Sequence, residues 1–189
     1  MNVKAYKTGI LVAMAFVVSG LCASGVYAAP ATGQTGHKLS HQDEMWLGMM
    51  HQTNLAEIKQ GRMAQKKGYS SAVRLAGRAV ASNHAKLDAK IMSLAHQLNI
   101  ALSHHVNSDQ EFTLKKLHKK TGADFDRSWL GVEMGSHHKA IEKTRYEVSH
   151  GLSKRVEGLA KGLLPILEKH LRMLGQISKK AAGGAHSGG

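Results

Sequence analysis

Between Phe125 and Leu152 the chain reads FDRSWLGVEMGSHHKAIEKTRYEVSHGL, an amphipathic stretch with two adjacent histidines near its middle. Leu130, Met134, Ile141, Val148 and Leu152 recur at steps of 4, 7, 7 and 4, one stripe of a 3.6-residue period. His137 and His138 stand where the missing apolar member of that stripe falls. An imidazole on a core stripe is either a hydrogen-bonded core group or a ligand. Which of the two it is depends on what the other helices bring to the same level.

Three further segments have the same helical period. From His41 to Lys67 the positions Leu47, Met50, Asn54, Glu57, Ile58, Gly61 and Ala64 follow 3-4 spacing, and Gly68 stops the helix. Glu57 stands on or beside that stripe. Ser70 or Ser71 caps a second helix with Val73, Ala76, Val80, Leu87, Ile91, Leu94 and Leu98 on one face, and the position due between Val80 and Leu87 is His84. Asp88, one turn later, is a candidate partner for the second nitrogen of His84. After Gly151, Ser153 caps the last helix, whose stripe runs Val156, Leu159, Leu163, Ile166, His170, Leu174, Ile177. Pro165 lies inside that pattern and removes one amide donor.

Residues 101–124 form a long connection in which Ser108-Asp109-Gln110-Glu111 reads as a capping box opening a short helix that ends by Gly122. Asp124 or Asp126 then opens the third long helix. Four long amphipathic helices with short, long and short connections, and no alternating strand-like runs, predict an all-α four-helix bundle. Its one long crossover contains a short helix between helices 2 and 3.

In such a bundle Glu57 and His84 lie at heights that differ by roughly 6 Å, counted from the first turn at 1.5 Å per residue. His138 and His170 differ by roughly 7–8 Å about the second turn. Each helix thus carries one metal-capable residue near mid-height, which is how bundle metal sites are built. Glu57, His84, His138 and His170 are the expected ligands, a carboxylate and three imidazoles suited to Zn, Cu, Fe or Mn. Asp88, Glu133, His137 and Glu142 are the expected outer shell, Glu133 and Glu142 because they flank the double histidine at four residues and His137 as a local partner for Glu133. The alternative is a metal-free buried polar network that fixes helix register. Met45, Met49, Met50, Met134 and Met173 with His51 would make a softer copper site, but methionine at helical spacing reads first as core.

Composition narrows the rest. The N-terminus has the form of an export signal: Lys4 and Lys7, an uncharged run Gly9 to Val18, and Val26-Tyr27-Ala28 as a cleavage pattern. The expected organisation is a signal at 1–28, a flexible leader at 29–40, the bundle at 41–180 and a disordered tail at 181–189, giving a periplasmic or secreted protein. An uncleaved anchor is the alternative for the first segment. The only cysteine, Cys22, falls within the signal, so the mature chain has no thiol for disulfides or thiolate sites. Lys+Arg total 26 against Asp+Glu 13, and losing Lys4 and Lys7 leaves 24 cations against 13 acids. Export and an aromatic content of 5% argue against a nucleic-acid partner. The lysine pairs read as helix-end cations on a solvated face, or as a surface for an anionic envelope polymer. No nucleophile–base pair, phosphate loop or haem-attachment motif is present, so no catalytic residue is assigned and an enzyme is the less favoured class.

The pieces AEIKQGRMA (56–64), NHAKLDAKIMSLA (83–95), TGADFDRSWLGVEMGSHHKAIE (121–142) and LLPILEKH (163–170) carry a resemblance. Over residues 45–177 the chain resembles the bacterial secreted family known as domain of unknown function four-one-four-two. The resemblance implies a ferritin-like fold, export, and family positions at Glu57, His84, Phe125-Asp126, His138, Pro165 and His170. The family usually has Asp-His where this chain has Asn83-His84, and His137 is an addition to its pattern. It has no assigned activity, so metal handling or stress tolerance in the cell envelope is the functional expectation, with a non-enzymatic envelope interaction module as the alternative. The paired Glu-x-x-His motifs of a di-iron centre are absent: Ala81, Gly135 and Leu167 stand three residues before His84, His138 and His170.

Overall fold

The computed structural model describes residues 39–183, all of them in helices or their connections. The expected signal, most of the leader and residues 184–189 lie outside the described residues. The helices are α1 (His41–Lys67), α2 (Ser71–Gln97), the short α3 (Ser108–His118), α4 (Gly122–His150) and α5 (Lys154–Gly183). The fold is all-α, a ferritin-like four-helix bundle of α1, α2, α4 and α5, with α3 in the crossover. No described helix is long and apolar enough to cross a membrane.

Helix ends are set by local chemistry. Ser40 caps α1 and forms a reciprocal capping box with Asp43, and Ser70 Oγ accepts from the Val73 amide at 3.2 Å to start α2. The capping box of α3 is one residue earlier than the sequence pattern indicates: Asn107 and Gln110 are the reciprocal pair. Gly122 opens α4 at φ +57°, a left-handed conformation that costs glycine little. Asp126, expected as a possible helix start, instead accepts the Tyr69 and Ser70 amides at 2.8 Å each and ties the α1–α2 turn to α4. The final helix runs through Gly183, three residues beyond the expected end of the bundle.

The pairing of elements follows from a few long-range bonds. Trp46 Nε1 donates to Thr144 Oγ1 at 3.2 Å, Ser136 Oγ donates to Glu57 Oε1 at 2.6 Å, and Asp126 meets Tyr69, so α1 and α4 are antiparallel. Gln97 meets Arg155 and Asn83 meets His170, so α2 and α5 are antiparallel as well. The crossover therefore returns along the length of the bundle. It is pinned by His51, whose Nε2–H donates to the Ser103 carbonyl at 2.8 Å and whose Nδ1 lies 2.7 Å from Asp88 Oδ1.

The apolar core is divided in two. One part gathers Trp46, Leu47, Met50, Leu87, Ile91, Ala140, Ile141, Leu163 and Leu167; the other gathers Ala64, Val73, Val80, Phe125, Trp129, Leu130 and Leu174. On every long helix polar side chains face inward between the two clusters, with the small Ala56, Gly61 and Ala81 beside them: Asn54, Glu57 and Gln60 on α1, His84 on α2, Glu133 and His137 on α4, His170 on α5. A polar layer thus crosses the bundle.

Below that layer α1 and α2 approach through small residues. A Cβ added at Gly77 would lie 2.6 Å from Ala64 Cβ and 2.7 Å from the Gly61 carbonyl oxygen, so the two backbones touch there. Overpacking costs about 1–3 kcal/mol. Gly77→Ala is therefore expected to lower the melting temperature by about 2–4 °C for each kcal/mol lost. An unchanged melting curve would mean that the helices do not approach this closely.

Candidate metal centre

His84 is fully buried on α2, between Val80 and Leu87 of the two clusters. Its Nδ1 lies 2.9 Å from Asn54 Oδ1, an acceptor only, so Nδ1 carries the proton and Nε2 points inward. His137 on α4 does the same with the chain itself. Its Nδ1–H donates to the Glu133 carbonyl one turn back at 2.8 Å, which turns Nε2 toward the same point. His170 on α5 contributes Nδ1, at 3.2 Å from His84 Nε2 and 3.3 Å from His137 Nε2. The three rings surround a common centre, with centroids 5.2–5.4 Å apart.

Glu57 closes the group. Its Oε2 lies 2.7 Å from His84 Nε2 and 3.5 Å from His137 Nε2, while Oε1 is held by Ser136. A carboxylate oxygen facing two ring nitrogens whose protons sit on the far side needs positive charge between them, a proton or a cation. Burial works against the charge on Glu57, but positive charge shared with His84 and His137, together with the Ser136 hydroxyl, outweighs it and lowers the carboxyl, so Glu57 is an anion wherever a proton or cation lies between it and the rings.

The four donors are 0–3% exposed. Burial pushes the His170 imidazole down to about 4, with His84 and His137 adding repulsion, and His137 is lowered chiefly by burial as well. Both rings are thus neutral, the state in which imidazole is a metal ligand. At His170 the outer nitrogen, Nε2, faces the Asn83 amide nitrogen at 3.0 Å, which leaves its proton on Nδ1, directed at the other two rings. Turning the Asn83 amide over presents its oxygen instead, moves the proton to Nε2 and frees Nδ1 as a donor.

Of the expected ligands, the structure brings Glu57, His84 and His170 together and leaves His138 out. His138 is exposed, on a surface depression with Gly135, Lys139 and Glu142, and the residue that faces the centre is its neighbour His137. The reason is helical phase. The buried face of α4 includes Glu133, Thr144 and Glu147, polar residues that a count of apolar positions passes over, and they rotate its centre by one residue. Two of the expected outer-shell residues also lie elsewhere. Asp88 pairs with His51 rather than His84, and Glu142 is exposed beside Lys143. Glu133 is fully buried next to the centre and holds His137 through its backbone oxygen. Asn54, Asn83 and Ser136 complete the outer shell. Asn54 alone had a signal in the sequence, its place on the α1 stripe.

For metal-free protein the histidine values fix the sign of a pH effect. Between the ordinary value of 6.5 and about 4, unfolded chains bind protons that native His170 does not, so its contribution to stability shrinks as pH falls through that window. In an NMR titration of the metal-free protein, His170 is expected to stay uncharged at pH 5.5. Titration near 6.5 would show that the ring is not enclosed as described.

The residues can now be compared with known proteins. The model of the family described as "Domain of unknown function (DUF4142)" matches residues 28–177. No curated protein matches the chain. Among solved structures, the crystal structure of a DUF305 fragment from Deinococcus radiodurans superposes with a TM-score of 0.68 at 11% identity, covering 75% of this chain and 98% of that one. At that identity the likeness concerns the fold alone.

Proposed function

The chain belongs to the DUF4142 family, and from that premise we propose that it is an exported bundle protein that binds a transition-metal ion between Glu57, His84, His137 and His170. The observation that carries the reading is the approach of four atoms of metal-ligand type, one from each long helix, within one buried layer. Donors bound tetrahedrally at about 2.0–2.1 Å from an ion are separated by ~3.3 Å. Four of the six separations are 2.7, 3.2, 3.3 and 3.5 Å, near that value, and the three ring nitrogens all lie within 4.8 Å of one another. Three imidazoles and one carboxylate suit Zn(II), Cu(II), Fe(II) or Mn(II).

Such an ion would offset the charge of Glu57 and satisfy an oxygen that has no hydrogen-bond partner. Burial of all four donors favours holding a metal over catalysis at it, since a catalytic ion keeps an open position for substrate. The export signal read at residues 1–28 supports metal handling or stress tolerance in the cell envelope as the setting.

One observation favours a second reading, an envelope module that meets anionic polymer. The packing of α3 on α1 gathers Lys59, Lys115 and Lys119 around one surface depression, with Lys116 and Lys120 exposed nearby.

The two readings separate in a melting experiment on protein purified without a histidine tag. Ligand that binds only the native state at a thousandfold excess over Kd stabilises it by about 4 kcal/mol. Metal is thus expected to co-purify and chelator to lower the melting temperature by several degrees, both effects disappearing in a His84→Ala, His137→Ala double variant but not in His138→Ala. Absence of bound metal under metal-replete conditions, with chelator-insensitive melting and salt-sensitive binding to anionic polymer, would favour the second reading.

A further inference from the structure

The layer that holds the three imidazoles does not end with them. Directly beside it, toward the Phe125–Trp129 cluster, lie polar groups that the first centre does not use. Glu133 is fully buried, and its two carboxyl oxygens have no partner beyond the Trp129 indole N–H one turn back, which lies outside good hydrogen-bond geometry. Its Oε2 is 4.0 Å from His137 Nδ1, and a carboxylate oxygen of Glu133, one of Glu57 and a ring nitrogen of His137 lie within 4.8 Å of one another. The antiparallel register that sets Glu57 against Ser136 and Tyr69 against Asp126 puts Gln60 at the level of Glu133. Gln60 is buried, and its Oε1 also lacks a partner. Two carboxyl groups and an amide oxygen thus share a dry layer with few donors, the Trp129 indole N–H, which faces Glu133, and the Asn54 amide.

Two buried carboxylates at this separation repel one another unless a proton or a cation lies between them. We propose that this layer is a second cation position, formed by the carboxylates of Glu133 and Glu57 with Gln60 Oε1, so that Glu57 bridges it to the histidine centre. The inference rests on the first centre being a metal site, because Glu57 is shared. The two positions differ in chemistry. The first offers nitrogen from three rings, whereas the second offers oxygen alone and suits a hard divalent ion such as Mn(II). Glu57 has the geometry for bridging: Oε2 faces the rings while Oε1, steadied by Ser136, retains a lone pair.

The sequence disguises this position. Glu133 precedes His137 by four residues, so the spacing is Glu-x-x-x-His, and a search for carboxylate and histidine three apart passes it by.

The test is stoichiometry with manganese as the probe. Metal-stripped, tag-free full chain is equilibrated with Mn(II), desalted and analysed for metal and protein, with electron paramagnetic resonance on the same sample. Two ions per chain and a spin-coupled spectrum are expected for the parent chain. One ion and an uncoupled spectrum are expected for Glu133→Gln, a change that keeps shape and removes the charge. One uncoupled ion in the parent chain, or two in the variant, overturns the second position and leaves the first intact. No ion in the parent chain overturns both. If Glu133→Gln does not fold, the count and coupling in the parent chain still decide.

Discussion

Everything distinctive about this bundle depends on the Glu57–His84 contact and the polar layer built around it. A four-helix core of this length can be apolar from end to end. Here it is cut in the middle, and Glu57, His84, Glu133, His137 and His170 are taken almost wholly out of water. Burying an unpaired carboxylate costs several kcal/mol, and a half-satisfied polar network is worse than a packed aliphatic one. The two apolar clusters on either side supply the favourable burial that holds this layer in place. The outer hydrogen bonds from Asn54, Ser136 and the Glu133 carbonyl aim its donors inward. A layer arranged only to fix helix register would pair every donor with an acceptor; here Glu57 Oε2 faces the unprotonated inward nitrogen of His84.

The sequence and the structure agree where the physics is local. The Gly68 stop, the Ser70 cap and the inward phases of His84 and His170 follow from spacing, because each apolar stripe on either side leaves one position open. The family resemblance seen in those motifs is matched by the family model over residues 28–177. The failures come where one residue of phase or a distant partner decides. Adjacent helical residues differ by about 100° around the axis, so a stripe read through Leu130, Met134 and Ile141 admits either His137 or His138. Only Glu133, Thr144 and Glu147, buried for reasons of partnership rather than hydrophobicity, select His137. Asp88 was within one turn of His84 in sequence, yet its partner is His51 across the α1–α2 interface. That pairing was not legible without the register of the two helices.

The outer shell gives the centre a property that the ligand identities alone do not. His137 is fixed by a backbone carbonyl, so its inward nitrogen is always available, and His84 is held through the oxygen of the Asn54 amide. His170 is fixed by Asn83, an amide with both a donor and an acceptor end, and so can point either a proton or a lone pair at the centre. An Asp at that position would present only acceptors, and the substitution of Asn for it makes the fourth donor conditional on the turn of one side chain. The metal-free and metal-bound states can therefore share one backbone and differ by a proton, an amide orientation and an ion.

The account stands or falls on what occupies the point between the four helices. The most direct measurement is an anomalous difference map from crystals of the metal-loaded protein, collected on either side of the metal's absorption edge. A peak bonded to Glu57 Oε2, His84 Nε2, His137 Nε2 and His170 Nδ1 is the predicted result. Anomalous density only at surface histidines, with the four inward donors hydrogen-bonded to one another and no ion between them, would contradict it.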